Sequence, residues 1–192
     1  MRHNCLTMNS IRISADEAII EAAFRVLNVN GAASLNEIAT AAGVGRATLH
    51  RYFSGRDDLI NAMVIRALRE LNDVAEASSK GARSYTQALK KMLFAIVPLG
   101  HRQWFLSQNA ARNSTEINAE LDKQRREFRL VLLAAQKEDL FPDTCPVEWA
   151  MQTYDVLVYA AWQMVHDGHA TPDQAATLAW KTFASGIKKA GL

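Results

Sequence analysis

The sequence predicts an all-α protein of about nine helices, in which an N-terminal three-helix helix-turn-helix domain precedes a larger helical domain. Three observations carry this prediction. Glycine and proline are sparse, 9 and 4 in 192 residues, while 49% of residues are hydrophobic, a composition suited to helices and a buried core rather than to disorder. Apolar residues recur at three- and four-residue spacing along most of the chain, and no convincing strand stands out. Helix-starting and helix-stopping residues punctuate that pattern.

The elements follow in order. Ser14 and Glu17 have the spacing of a capping box. Ile19, Ala22, Ala23, Val26 and Leu27 then keep a helical period, so the first helix runs from about Ala15 to Asn30, with Gly31 as a left-handed stop. Ser34 and Glu37 repeat the box for a short second helix with Leu35, Ile38, Ala39 and Ala42 on one face, ended by Gly43. Residues 45–53 read as a third short helix, with Val44, Leu49 and Phe53 inward. Ser54 and Gly55 break it, and Asp57 and Asp58 suit the next N-terminus. Leu59, Met63, Ala67, Leu68 and Leu71 carry a long fourth helix toward Ser78. Residues 78–81 read as a linker. Ser84 caps a fifth helix that runs to Val97, where Pro98 interferes. A short helix covers about 103–110. Thr115 caps a long one over 116–138. Pro146 opens an eighth helix that ends at His166 before Gly168, and Thr171 and Pro172 open a ninth that ends near Lys189. The expected organisation is a flexible arm over 1–13, a helix-turn-helix domain over 14–56 and a second domain over 57–192.

Several classes of function fall away. Cys5 and Cys145, the only cysteines, are far apart and read as free thiols in a reducing compartment. No apolar run has membrane-spanning length, and residues 1–10 lack the apolar block of a signal peptide, so a cytoplasmic protein with no membrane partner is expected; Met8 is an alternative start. No cofactor fingerprint is present. His166, Asp167 and His169 are too few for a metal site, and the two histidines suit a helix C-terminus. Cys145 stands at a helix start where a thiol can be activated, without an identifiable histidine partner.

The formal net charge is only +2, so no global basic field marks nucleic acid. Arg46, Arg51 and Arg56, however, fall within one short stretch free of acids, a placement suited to a small footprint on phosphates. That stretch lies in SLNEIATAAGVGRATLHRYF, which has what a helix-turn-helix requires. Ala39 is small where two helices must approach, Gly43 permits the turn, and Val44, Leu49 and Phe53 seat the second helix on the first. Arg46, Ala47, Thr48, His50 and Tyr52 are left outward. Arginine can bond guanine with two hydrogen bonds, a threonine methyl can touch thymine, and His50 and Tyr52 can reach phosphates. Arg56 can add a phosphate contact beside its helix's N-terminal amides.

Together with IIEAAFRVLNVNG before it and SGRDDLI after it, this segment resembles the N-terminal domain of the TetR family of transcriptional regulators over about residues 14–62. The resemblance implies DNA contacts at Ser34, Asn36, Arg46, Ala47, Thr48, His50, Tyr52 and Arg56. His50 stands where the family usually has tyrosine, Tyr52 where it has histidine and Arg56 where it has lysine; all three keep the capacity to bond phosphate. It further implies a C-terminal domain that binds a small apolar or amphipathic inducer and forms a homodimer on double-stranded operator DNA. All four tryptophans lie in that domain, and Met92, Trp104, Phe128, Trp149, Tyr154 and Asp155 are candidates for the pocket wall. Asp155 is a carboxylate inside an apolar helix, which has to be exposed, paired or awaiting a polar ligand group. Ala175, Ala179, Thr182 and Gly186 form a small-residue stripe along which a helix can pack; with Trp162 they are the candidate dimer face. The expected activity is that of a repressor, not an enzyme, released when an inducer shifts the spacing of two recognition helices. The alternatives are a regulator without an inducer and a helical carrier or enzyme that retains the motif.

Overall fold

The computed structural model describes residues 14–109 and 115–186. Among the described residues there are nine α-helices and no strand: α1 (Ala15–Val29), α2 (Leu35–Ala41), α3 (Arg46–Tyr52), α4 (Arg56–Ser79), α5 (Tyr85–Ile96), α6 (Gly100–Asn109), α7 (Thr115–Gln136), α8 (Val147–His166) and α9 (Pro172–Gly186), with a 3-10 turn at Val97–Leu99 between α5 and α6. The expected arm over 1–13, Cys5 and the end of the last helix near Lys189 lie outside the described residues. The chain divides into two compact units inside α4, between Met63 and Val64, rather than after Arg56. The start of α4 gives Leu59 and Met63 to the buried residues of the first unit, and an apolar face ties a helix to the core it fills.

In the first unit, Ile19, Ala22, Ala23 and Phe24 of α1, Ile38 and Ala39 of α2 and Leu49 of α3 are buried. The start of α1 differs from the expected capping box. Ser14 has the extended backbone of an N-cap but makes no side-chain cap bond. Its hydroxyl donates to the Asp16 carboxylate, and this bond holds that carboxyl below its ordinary range. Gly31 is not left-handed. α1 ends at Asn30 in extended conformation, and the Asn30 side chain accepts from the Ala32 N–H, so no positive φ is required. Gly43 (φ +69°) and Gly168 (φ +75°) do take that conformation, as their places after α2 and α8 predict.

In the second unit, α8 is the central element. It packs against α6, α7 and α9 and buries Val147, Ala150, Met151, Tyr154, Val158 and Ala161. The Tyr154 hydroxyl donates to the Leu89 carbonyl of α5 at 2.9 Å, and its ring meets Phe183 of α9 edge-on. α6 starts at Gly100, earlier than expected, because the Val97–Leu99 turn absorbs Pro98 and feeds the next helix. Gly100 is where α6 touches α8: a Cβ built there would lie 2.3 Å from the Trp162 Cβ and 3.3 Å from the Val158 carbonyl oxygen.

Gly100→Ala is therefore expected to force α6 off α8 and to cost about 1–3 kcal/mol, the range for overpacking a fitted interior, read as a lower midpoint of thermal unfolding. Gly31→Ala, where the nearest atom is 4.0 Å away, is the control and is expected to leave the midpoint unchanged or raised. Equal midpoints for the two variants would refute the tight crossing.

Candidate DNA-reading face and ligand cavity

The first site is built by two short helices and their caps. The Ser34 hydroxyl accepts from the Glu37 N–H, and the Glu37 carboxylate accepts from the Ser34 N–H at 2.7 Å. Those bonds hold the Glu37 carboxyl below its ordinary range and fix the first turn of α2. After Ala41 the chain turns at Gly43, and the Val44 N–H donates to the Ala39 carbonyl at 3.0 Å. Gly45, extended, begins α3. The single buried side chain of α3 is Leu49; Arg46, Ala47, His50, Arg51 and Tyr52 are exposed and Thr48 is half-buried. A helix that hides one residue in seven presents the rest as a surface that can enter a groove. Ser34 and Asn36 are exposed as well. The Arg51 guanidinium lies 5.1 Å from the centre of the Tyr52 ring, and that contact orients both on the same surface.

Arg56 is placed differently from the expectation. Its guanidinium donates to the carbonyls of Ala33 and Gly31. Two of its five N–H donors are thus committed to the loop between α1 and α2. Its first task is to staple that loop, which carries Ser34. The sequence could not announce this, because the bond spans 23 residues.

The second site is a cavity of about 1320 Å³ in the second unit, with walls from α4 to α8. It exceeds the roughly 300–1,000 Å³ usual for small-molecule sites. Met92, Phe128, Tyr154 and Asp155, all expected at such a wall, line it. Trp104 and Trp149 do not. Trp149 is 61% exposed, and on α8 it points away from the helical face of Met151, Asp155 and Val158 that lines the cavity. Trp104 is 40% exposed and stacks on Tyr159 with ring centres 4.3 Å apart, whereas Gln103, Leu106 and Ser107 of the same helix face the cavity. Asp155 was legible as a charge in an apolar helix; Phe128 and Tyr154 also lie on the wall, whereas the two tryptophans lie on other faces.

Asp155 is one of five acids on this wall, with Glu76, Asp122, Glu127 and Glu138. Burial pushes its carboxyl up to about 6, against the smaller opposing effects of Arg125 on α7 and a hydrogen bond from Gln103 Nε2 to its Oδ1 at 3.2 Å. Gln124 of α7, also lining the cavity, has a buried Nε2 with no hydrogen-bond partner. Gln103, Gln124 and Arg125 were missed in the sequence, where polar residues on half-exposed helices carry no sign of a cavity. Among the described residues no group of three or more metal-binding side chains occurs. Burial raises the Cys145 thiol above its ordinary value, the reverse of what activates a nucleophile.

The expected dimer face also shifts. Ala175 and Ala179 are buried inside the protomer, where α9 packs on α8, and Trp162 is half-buried against Gly100. Small residues allow close approach, and here the approach is intrachain. Thr182 and Gly186 are exposed. Besides Trp149, the exposed large apolar residues described on these helices are Val156 (64%), Met164 and Leu178 (53%).

Residues 19–63 match the family described as bacterial regulatory proteins, tetR family. The transcriptional repressor LfrR of Mycolicibacterium smegmatis is 31% identical over 85% of this chain and 87% of its own, and the regulator BetI of Rhizobium meliloti is 32% identical over 61% and 62%. The crystal structure of LfrR in complex with proflavine superposes with a TM-score of 0.75, at 27% identity, covering 91% of this chain and 97% of that one. No helix among the described residues is long and apolar enough to cross a membrane.

Arg56→Met is expected to lower the thermal midpoint by the equivalent of about 1–2 kcal/mol, the scale of charge-assisted hydrogen bonds, and to weaken DNA binding. Arg46→Ala should leave the midpoint unchanged. If the two variants melt alike, Arg56 is not the staple of the loop.

Proposed function

The chain belongs to the TetR family of bacterial transcriptional regulators, and on that footing we propose that it is a homodimeric repressor that a small aromatic cation releases from its operator. Family membership makes it a DNA-binding regulator; its relatives are named as regulators and repressors, not enzymes. The DNA contacts proposed are Arg46, Ala47 and Thr48 on base edges, His50 and Tyr52 on phosphates, Ser34 and Asn36 at the start of α2, and Arg56 through its uncommitted donors. With so few base contacts one copy binds weakly, so the unit of recognition is a dimer with two recognition helices about 34–36 Å apart. Val156, Met164, Leu178 and Thr182 support α8 and α9 as the dimer face, since exposed apolar surface on packed helices marks an interface.

The observation that carries the ligand reading is Asp155. A half-buried carboxylate beside apolar side chains on a cavity wall is stabilised by a ligand that brings a positive charge. Aromatic and methionine side chains around it (Met92, Phe128, Tyr154 and Met151) suit a flat apolar body. Proflavine, the ligand in the LfrR complex, is a planar dye that is cationic at neutral pH. The size of the cavity disfavours a regulator with a filled core and no inducer.

The test is a band-shift assay on DNA flanking the coding region, with and without proflavine. A salt-sensitive, sequence-specific shift that proflavine abolishes is expected; no specific shift refutes the operator, and a shift indifferent to every aromatic cation refutes the ligand. Arg46→Ala is expected to relax sequence preference by about 1–3 kcal/mol. Leu178→Arg is expected to sediment as a monomer and lose the shift. Asp155 carries its charge only above about pH 6, so proflavine affinity should be full near neutrality and fall as pH drops through that value. Asp155→Asn should bind at least about tenfold more weakly at neutral pH, the scale of one lost ionic contact, and lose the pH dependence.

A further inference from the structure

The inward face of α7 carries Leu121, Gln124, Phe128 and Val131 at the three- and four-residue spacing of one helical stripe, and all four line the cavity. A glutamine stands where that stripe asks for an apolar side chain. Its Nε2 is buried and has no hydrogen-bond partner within the protein. Gln136, on the same helix, shows how such an amide is ordinarily met: its Nε2 donates to the carbonyls of Pro142 at 3.0 Å and Cys145 at 3.2 Å. Gln103, elsewhere on the cavity wall, gives its Nε2 to Asp155. A buried donor left unmet costs the desolvation of its N–H groups, and such exceptions are rare enough in folded proteins that each asks for a reason. We propose that Gln124 is the second polar anchor of the cavity and selects ligands that bring a hydrogen-bond acceptor as well as a positive charge. The proposal rests on the ligand reading above and narrows it, from aromatic cations to aromatic cations that carry a carbonyl or ether oxygen.

The two anchors serve one ligand. Phe128, one turn beyond Gln124, meets the Tyr154 ring with centres 5.1 Å apart, and Arg125, next to Gln124, is near enough to act on the Asp155 carboxyl. α7 and α8 thus bring Gln124 and Asp155 to the same stretch of wall, with two aromatic rings alongside to meet a flat body. The chemistry of the two groups is opposite. The Asp155 carboxylate only accepts, whereas an amide nitrogen only donates. Arg125, which also lines the cavity, adds further donors and no acceptor. A ligand that satisfies this wall therefore offers a positive charge at one place and an oxygen with free lone pairs at another. The protonated ring nitrogen and the amino groups of proflavine are donors throughout, so it meets Asp155 and leaves Gln124 unserved. A site built to donate a hydrogen bond discriminates against a molecule that lacks the acceptor, because the donor is then buried unpaired.

The test measures binding of 9-aminoacridine and of its isomeric ring carboxamides to the full-length protein by fluorescence titration at neutral pH. The parent is a cation whose nitrogens donate; each carboxamide keeps the charge and the ring system and adds a carbonyl oxygen. The wild type is expected to bind at least one carboxamide about fivefold or more tighter than the parent, the scale of one buried donor met rather than unmet. In Gln124→Leu, which removes the amide and keeps apolar bulk, that preference is expected to fall to within about twofold of none, while the parent binds as tightly as to the wild type or tighter. Gln124→Met decides the matter if that variant fails to fold. A wild type indifferent to every carboxamide overturns the proposal, since water then serves the amide. A preference that survives in either folded variant overturns it as well, since another group then reads the oxygen. Acridone, a neutral tricycle with a ring carbonyl, separates this proposal from the reading it rests on. Binding of acridone that depends on Gln124, with no binding of the cations, leaves the acceptor site standing and overturns the cationic ligand. Failure of acridone and of all the cations to bind the wild type overturns both.

Discussion

A half-buried carboxylate on the wall of a large cavity organises the second unit. Asp155 sits on the helix that packs against α6, α7 and α9, so its environment is fixed by the same contacts that build the core. Removing a charge from water is costly unless something compensates it. Here the compensation is partial: one bond from Gln103, the field of Arg125 and a proton affinity raised to about 6. The site is folded in a condition that a cationic group improves. The cavity and the unpartnered amide of Gln124 on its wall take their significance from that incomplete compensation.

The first unit works on a different principle, which is rigidity at small size. α2 and α3 are each seven residues long, too short to be stable alone. They persist because Ile38, Ala39 and Leu49 are buried against α1, because Ser34 and Glu37 close one end, and because Arg56 clamps the preceding loop. Nearly every polar side chain of α3 is then free for DNA. Of Arg46, Arg51 and Arg56, the one farthest in sequence from the loop holds it, so mutational loss of DNA binding at Arg56 carries a folding component that loss at Arg46 does not.

The helical architecture was legible because its signals are local. The capping box at Ser34, the turn at Gly43 and the spacing of Ile38, Leu49 and Phe53 each act within a few residues, and the structure reproduces them. The same logic failed at both ends of α1: Ser14 makes no side-chain cap bond, and Asn30 ends the helix without a left-handed glycine. Sites were less legible than helices. Asp155 stood out as a charge in an apolar helix, whereas Trp104 and Trp149 stood out by size alone and proved to lie on outer faces. Ala175 and Ala179 were identified as a close-packing stripe, which they are, but the sequence does not say whether the partner helix is in the same chain. The ion pair of Arg102 on α6 with Glu70 on α4 gave no signal either, since a contact spanning 32 residues becomes visible only once both helices are placed.

The central claim is that Asp155 is the counter-ion of the inducer, and proton linkage tests it most directly. Calorimetric titration of the protein with proflavine at pH about 6, in two buffers of different ionisation enthalpy, reads the protons exchanged on binding. Because the carboxyl is about half protonated at that pH and a bound cation favours its charged form, release of about half a proton per ligand is expected, and none from Asp155→Asn. Binding with the same apparent enthalpy in both buffers, or unchanged proton release from the Asn variant, would contradict the account.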